Sequence, residues 1–398
     1  MNILIDYETY GQTAQMTHDF FRQLTEKYDC KLRAKNTYSI KAADIEWADI
    51  VLAIRPMNSI SQWIAEECKN KAKLHISMFD DNLLNHLRKD RYMKKRQQYM
   101  IETIKCSKVL LTTNELLSTY LSKYNPEIRT SHIDTVVDIK EIKPLCECVK
   151  NSSGLKLVYY SNDGTTNYFE SFMPKVIKTI TERLPQEHIS IDLLGIEKTD
   201  FDMGNCECAF IPHMGYSDFK KFLKEGEYIA GISPIIADDD FSKYKYFNKF
   251  IEYTIAGIVG IYSDAEPYVY EVTNGINGFL CVSIEEWVDC ICKLYNNPSL
   301  RIEMIKNAYK TIEQKHSFEN VAKKILEDIP ELLNQSHTHE KVANMNFVRV
   351  RYRMFWLSEK INATYRYLQK GGIRSFANRT KGYINTMSQI SNERNKVR

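Results

Sequence analysis

The chain has 398 residues, 43% hydrophobic and 26% charged, with a net charge of +3. That length accommodates two domain cores, the composition is ordinary for a globular protein, and no apolar run reaches the ~18–20 residues of a membrane span. The charge is uneven: residues 341–398 hold 13 Lys/Arg against 2 Asp/Glu, so an acidic body with a basic tail replaces a chain that is basic throughout, and the tail suits an anionic surface.

In chain order, Asn2–Ile5 reads as a strand, Ala14–Tyr28 as a helix and Asp49–Arg55 as a buried strand. The chain enters that first strand at once, so no secretory leader is expected. Trp63–Asn70 is helical, Leu74–Met78 a strand, Tyr92–Cys106 a long polar helix, Val109–Thr112 a strand, Glu115–Lys123 a helix and His132–Val137 a last strand. This alternation predicts a parallel sheet covered by helices. Periodicity lapses over 139–154, which end in Asn-Ser-Ser-Gly, and an interdomain linker is expected at 141–154.

The pattern then restarts with candidate strands Leu157–Tyr160, Ile189–Leu194, Ala209–Pro212, Tyr228–Pro234, Ile258–Tyr262 and Phe279–Val282. Helices are expected between them and at 284–296, 299–313 and Phe318–Leu333. The predicted organisation is therefore α/β: domains at 1–140 and 155–334 and a basic helical tail at 335–398. In the tail, Val350, Met354, Leu357, Ile361 and Leu368 fall at helical spacing among arginines and lysines. Two doubly wound units facing each other leave a cleft lined by the carboxyl ends of both sets of strands.

Ten cysteines include three C-x-C pairs, Cys146/Cys148, Cys206/Cys208 and Cys290/Cys292. None has C-x-x-C spacing or an accompanying His cluster, and alternation along an extended chain would turn the two thiols of a pair apart. Free thiols in a reducing cytosol are expected, with no metal site.

The stretch from Lys245 to Gly278 carries the most chemistry. Asn248, a residue type suited to helix capping, opens a short amphipathic run bearing Lys249 and Glu252, and Gly257 closes it before an apolar strand. A helix start with a cation beside it, next to a strand's carboxyl end, suits a phosphorylated ligand. Lys249 and Glu252 share a face, so Lys for phosphate and Glu for ribose hydroxyls would form a nucleotide-sugar site. The plainer meaning of K-x-x-E is a solvated ion pair, and Lys245 is equally an exposed lysine.

Elsewhere, Gly11 in Tyr10-Gly11-Gln12 either lets a phosphate or sugar approach or makes a tight turn. Asp80 and Asp81 follow a strand, and either one orients an acceptor hydroxyl or both cap the helix near Asn82. His75, inside that strand, reads as a core histidine. Ser161-Asn162-Asp163-Gly164 can cradle phosphate or be an ordinary strand–helix turn. Arg88, Lys89, Arg91, Lys94, Lys95 and Arg96 form a second polybasic element, suited to anionic lipid or to a solvated helix face. No nucleic-acid-binding motif accompanies it.

The segment from Asn248 to Gly278 resembles the donor-binding signature of the GT-B glycosyltransferases, especially family 4. That pattern runs N-K-F-x-E-Y-x-A-x-G-x-P-V-I-x-S-D, then E-x-V-x-x-G-x-N-G, and the family's layout fits most of residues 1–333. Two positions depart: Tyr244 stands where the family has the first of two glutamates, and Val259 where it has proline. The resemblance implies a retaining, metal-independent glycosyltransferase without a cofactor. It would move sugar from a nucleotide-diphosphate donor to a saccharide acceptor, often lipid-linked, in surface-polysaccharide or glycoconjugate synthesis.

On the same resemblance, Lys249 would stabilise the diphosphate, Glu252 would accept from the ribose, and Pro212, His213 and Tyr216 would lie near the base, with Tyr216 stacking on it. The same loop read without the resemblance is structural. The enzyme would be cytoplasmic, held at the inner membrane face by residues 88–96 and 341–398, with no nucleic-acid partner. A nucleotide-sugar epimerase of the same fold and a non-catalytic nucleotide-sugar-binding member are the alternatives.

Overall fold

A computed structural model describes residues 1–85, 90–148, 154–161, 167–196, 198–235 and 242–333, and, further on, residues 342, 345–350, 352–355, 357 and 361. The first half forms strands β1 (Asn2–Tyr7), β2 (Lys31–Asn36), β3 (Ile50–Ile54), β4 (Leu74–Phe79), β5 (Val109–Thr112) and β6 (Arg129–His132). They make one sheet in the order β2-β1-β3-β4-β5-β6, parallel throughout, with Ile5 of β1 registered between Ala34 and Leu52. The run Ile-Val-Leu-Ala-Ile of β3 is buried at every position, as a parallel strand with helices on both faces requires.

The second half repeats the plan with β7 (Leu155–Tyr160), β8 (Ile189–Leu194), β9 (Glu207–Ile211), β10 (Ala230–Ser233), β11 (Gly260–Ser263) and β12 (Phe279–Cys281). Its order is β12-β11-β10-β7-β8-β9. In each sheet the order reverses beside the first strand, between β1 and β3 and between β7 and β10. Those are the two points where an open α/β sheet leaves a crevice beyond its carboxyl ends.

The helix Phe318–Asp328 returns to the first domain, where Val321, Ala322 and Ile325 join the core formed by Ile3, Phe20 and Leu52. Among the described residues, no helix is long and apolar enough to cross a membrane.

Three local expectations change. β2 is absent from the sequence reading because its residues, Lys-Leu-Arg-Ala-Lys-Asn, lie on a half-exposed sheet edge and carry no apolar pattern. The strand expected at His132–Val137 stops at His132. Beyond it, the Thr135 N–H donates to the Tyr246 hydroxyl (3.0 Å) and the Val137 N–H to the His316 carbonyl, so the segment bonds to the other domain instead of a sheet neighbour. Cys146 and Cys148, like Cys290 and Cys292, sit on helices, not extended chain; all ten thiols are free.

Candidate active site

The second-domain wall of the cleft grows from the sequence around Asn248. The helix Asn248–Ile255 is capped by Phe247, which offers no side-chain acceptor. Asn248 is the first helical residue, not the cap, because the backbone turns one residue earlier. Phe247 thus gives the first N–H groups of this helix no side-chain cap, and they carry the positive end of its dipole.

The helix ends as the sequence indicates. Gly257 has φ +70, its N–H reaches the Thr254 carbonyl, and that of Ile258 reaches Tyr253, a left-handed stop that a side chain would strain.

Glu252 is buried in this wall, 8% exposed. The Tyr160 hydroxyl, at the end of β7, donates to its carboxylate, and Gln12 Nε2 approaches from the first domain at 3.5 Å. Burial raises its pKa from 4.5 to about 7, with the Tyr160 and Gln12 hydrogen bonds and the Lys249 charge pulling the other way. Lys249 is half-buried, its Nζ 4.3 Å from the centre of the Tyr159 ring and 4.9 Å from that of Tyr160. The Lys245 ammonium lies 5.5 Å from the Tyr168 ring. Asn248, Ser161, Pro234 and Ile235 complete this side, at the β7–β10 switch point.

The facing wall belongs to the first domain. Gly11 lies at the N-cap of the helix Gln12–Lys27 with φ −98 and ψ −171, an extended conformation open to any residue, and an added Cβ there would meet nothing within 4 Å. It is thus not a strained tight turn but an open part of the cleft rim.

Arg55, immediately after β3, adopts φ +47, uncommon for a residue with a side chain. Its guanidinium holds Asp80 through two bonds of 2.5 and 2.6 Å and Asp81 through one of 2.8 Å. Asp80 also accepts from Thr13 at 2.5 Å. Asp80 is therefore fully engaged in scaffolding, while Asp81, 28% exposed, stands nearer to solvent.

Glu8, after β1, pairs with Arg96 through two bonds of 2.8 Å. Burial alone would raise Glu8, and the Arg96 guanidinium overrides it, holding the carboxyl below its usual range. His75 is buried against Ser107 at 2.9 Å, and burial lowers its pKa to about 3, which fits a neutral core residue.

The walls enclose a cleft of about 660 Å³. Of the residues singled out in the sequence, Gly11, Asp81, Ser161, Lys245, Asn248, Lys249 and Glu252 line it together. Pro212 and His213 lie exposed on the loop after β9 and are not among the lining residues. Tyr216, half-buried just beyond them, stacks on Phe219 at 6.2 Å; burial and the nearby Glu252 charge push its hydroxyl upward, while a hydrogen bond with Gln12 opposes them. Asn162 and Gly164 are outside the described residues, as are Arg88 and Lys89.

Tyr244 does not line the cleft. It is buried at 8% exposure among Met57, Phe79 and Leu117 of the first domain, its ring 5.1 Å from that of Tyr120 and its carbonyl held by Asn114 at 2.8 Å. The position that carries a glutamate in the resembled family is here an interdomain packing residue.

Sequence reasoning missed Arg55 and Tyr160, each assigned simply to the end of an apolar strand. The usable signal was a hydrogen-bonding side chain at the carboxyl end of a strand next to a switch point.

No family model and no curated protein matches the chain. Solved structures do. Anabaena HepE in complex with UDP superposes with a TM-score of 0.58 at 10% identity, covering 83% of this chain and 99% of that one. The sucrose-phosphate synthase of Thermosynechococcus elongatus gives 0.58 at 10%, covering 83% and 98%. TarM gives 0.53 at 15%, covering 74% of this chain and 58% of that one. At such identities the likeness speaks for the fold, and it agrees with the two six-stranded parallel sheets described above: the chain has the two-domain GT-B architecture.

Proposed function

We propose that this chain is a glycosyltransferase, holding a nucleotide-diphosphate sugar on the second-domain wall and a saccharide acceptor on the first. The observation that carries this reading is the start of the helix Asn248–Ile255. Backbone N–H groups without a side-chain cap, Lys249 and the buried Glu252 meet there at the β7–β10 switch point, facing a second α/β domain. A diphosphate leaving group develops charge as its bond to the sugar breaks, and fixed donors and an ammonium at that point lower the barrier most. Glu252 supplies an acceptor for ribose hydroxyls, and Asp81 one for the incoming hydroxyl. The likeness to structures holding UDP and UDP-glucose supports the donor class.

With the family resemblance, the reading extends to a retaining, metal-independent reaction. The acceptor oxygen bonds to the anomeric carbon on the face the diphosphate leaves, and the acceptor's proton ends on that diphosphate. The acceptor's attachment to lipid belongs to the same proposal.

Melting curves with UDP-, GDP- and dTDP-sugars test it, since a ligand bound only by the folded state raises apparent stability. One nucleotide series should shift the wild type and fail to shift Glu252→Ala. No shift with any series defeats the reading. The burial of Tyr244 favours one alternative, a binding member that lacks the family's first glutamate; donor binding with no transfer or hydrolysis would establish it. An isomerised donor in the absence of acceptor would instead establish an epimerase.

A further inference from the structure

Every described residue from 346 to 361 is helical, and one side of this segment is fastened to the first domain. Met345 and Tyr352 are buried with Leu4, Ile40, Val51 and Ile60. Phe355 stacks on Tyr92 at 4.9 Å and 17°, and Arg349 donates to the Ile40 carbonyl. The Tyr352 hydroxyl donates to Glu8 at 3.0 Å, the same Glu8 that lines the cleft.

The other side is apolar and bare. Phe347 is 78% exposed and Met354 68%, and Val350, Leu357 and Ile361 are all more than half exposed. Their alternating spacing of three and four residues lays them in one stripe. A helix packed on one face normally presents a polar face to water, and contiguous exposed apolar side chains mark a surface that something covers.

Charge identifies the cover. Arg353 is exposed on the same helix, and Arg91 and Lys94 are exposed on the helix Arg91–Cys106, whose Tyr92 receives Phe355. Residues 341–398 carry 13 basic and 2 acidic side chains. A second copy docking through the same face would bring like charge against like; an anionic bilayer offers the complement to each basic residue near its surface. Side chains such as Phe347 and Leu357 would then enter the boundary between headgroups and acyl chains.

We propose that the helical residues described between 346 and 361 dock the protein on an anionic lipid surface, and that Tyr352 and Glu8 tie this docking face to the first-domain rim of the cleft. An acceptor carried on lipid would reach the site from that rim. This last step rests on the transferase reading; the docking itself does not.

Sedimentation of the full-length protein with vesicles of phosphatidylcholine, alone or mixed with phosphatidylglycerol, tests it. The wild type should pellet with the mixed vesicles only. The variants Phe347→Ser/Met354→Ser/Leu357→Ser and Arg91→Gln/Lys94→Gln/Arg353→Gln should each lose at least about tenfold in partitioning. Their melting curves should stay unchanged, showing that the fold survives. A wild type that ignores mixed vesicles, or an apolar-stripe variant that binds like the wild type, overturns the proposal. So does a dimer in light scattering that the stripe variant dissociates, because the cover would then be a second copy. Lipid binding without any nucleotide-sugar shift would defeat the transferase reading and leave the docking intact.

Discussion

Gln12 and Glu252 approach to 3.5 Å across the cleft, one at the start of the first domain's opening helix and the other one turn into the helix Asn248–Ile255. A carboxylate shared between the two walls can report both domain closure and ligand, and its titration sets the first prediction.

Glu252 has a folded-state pKa of about 7 against 4.5 when unperturbed. Between those values the folded protein binds more protons than the unfolded chain, so stability falls as pH rises through the window and levels off above it. The contribution is a few kcal/mol at most. Ribose hydroxyls bonded to the carboxylate favour its charged form, so donor affinity should rise with pH up to about 7 and then flatten. Isothermal titration from pH 5 to 8 checks this, and Glu252→Gln should remove the slope. A slope of opposite sign would mean that the protonated acid binds the donor.

Tyr160→Phe removes the hydroxyl that donates to Glu252. The carboxylate then loses its nearest stabilising bond, so the pH profile of donor binding should move to higher pH. Folded stability should fall by about 1 kcal/mol, as for one lost hydrogen bond. An unmoved profile would show that Tyr160 does not tune Glu252.

Lys249→Ala should lower kcat/KM by about a hundredfold or more, because an ammonium at the leaving diphosphate acts most strongly where charge develops. Lys249→Arg should recover part of the rate, since a planar guanidinium keeps the charge but not the shape. Thermal stability should change little, and unaltered kinetics would remove Lys249 from the site.

The repeating βα pattern was legible because the inner strands of both sheets are buried runs, with β3, β4, β5, β10 and β11 buried at all positions. The second-domain wall was legible for a different reason: Asn248, Lys249, Glu252 and Gly257 are neighbours in sequence, so a short motif contains their spatial relation. The first-domain wall was not. Arg55, Asp80 and Thr13 meet only after three strands align, and no local spacing records such a meeting. Nor did the sequence show that Tyr244 turns toward the first domain, which depends on a pocket formed by Met57, Phe79 and Leu117. Edge strand β2 was hidden by its polar composition, since sheet edges need no continuous apolar run.

Asp81→Asn keeps the size of the side chain and removes its charge. Arg55 holds both carboxylates and Thr13 adds a further bond to Asp80, so in the proposed reaction Asp81, the more exposed of the two, would orient the acceptor. The acceptor KM should rise about tenfold with donor affinity constant, the pattern of a lost acceptor contact. Arg55→Ala should act more broadly, because it releases two carboxylates at once. Equal effects of Asp81→Asn on donor and acceptor would contradict the division between walls.

Tyr244→Glu restores the side chain that the resembled family carries at this position, and it should not restore a family-like site. Tyr244 lies between the domains with Tyr120 on one side and Leu117 and Phe79 nearby. A glutamate there exchanges an aromatic ring for a carboxyl group in an apolar pocket. Burying that group without a partner costs about 1–3 kcal/mol by protein measurements, in addition to the packing lost with the ring. The variant should melt lower, by several degrees, with no gain in transfer rate, and its melting point should drop further as pH rises from the ordinary carboxyl range to the buried group's raised pKa, levelling off above it. Tyr244→Phe, which keeps the ring, should melt close to the wild type and separates loss of packing from burial of charge. A Tyr244→Glu protein that melts like the wild type and turns over faster would show that the helix start can rotate this residue into the cleft.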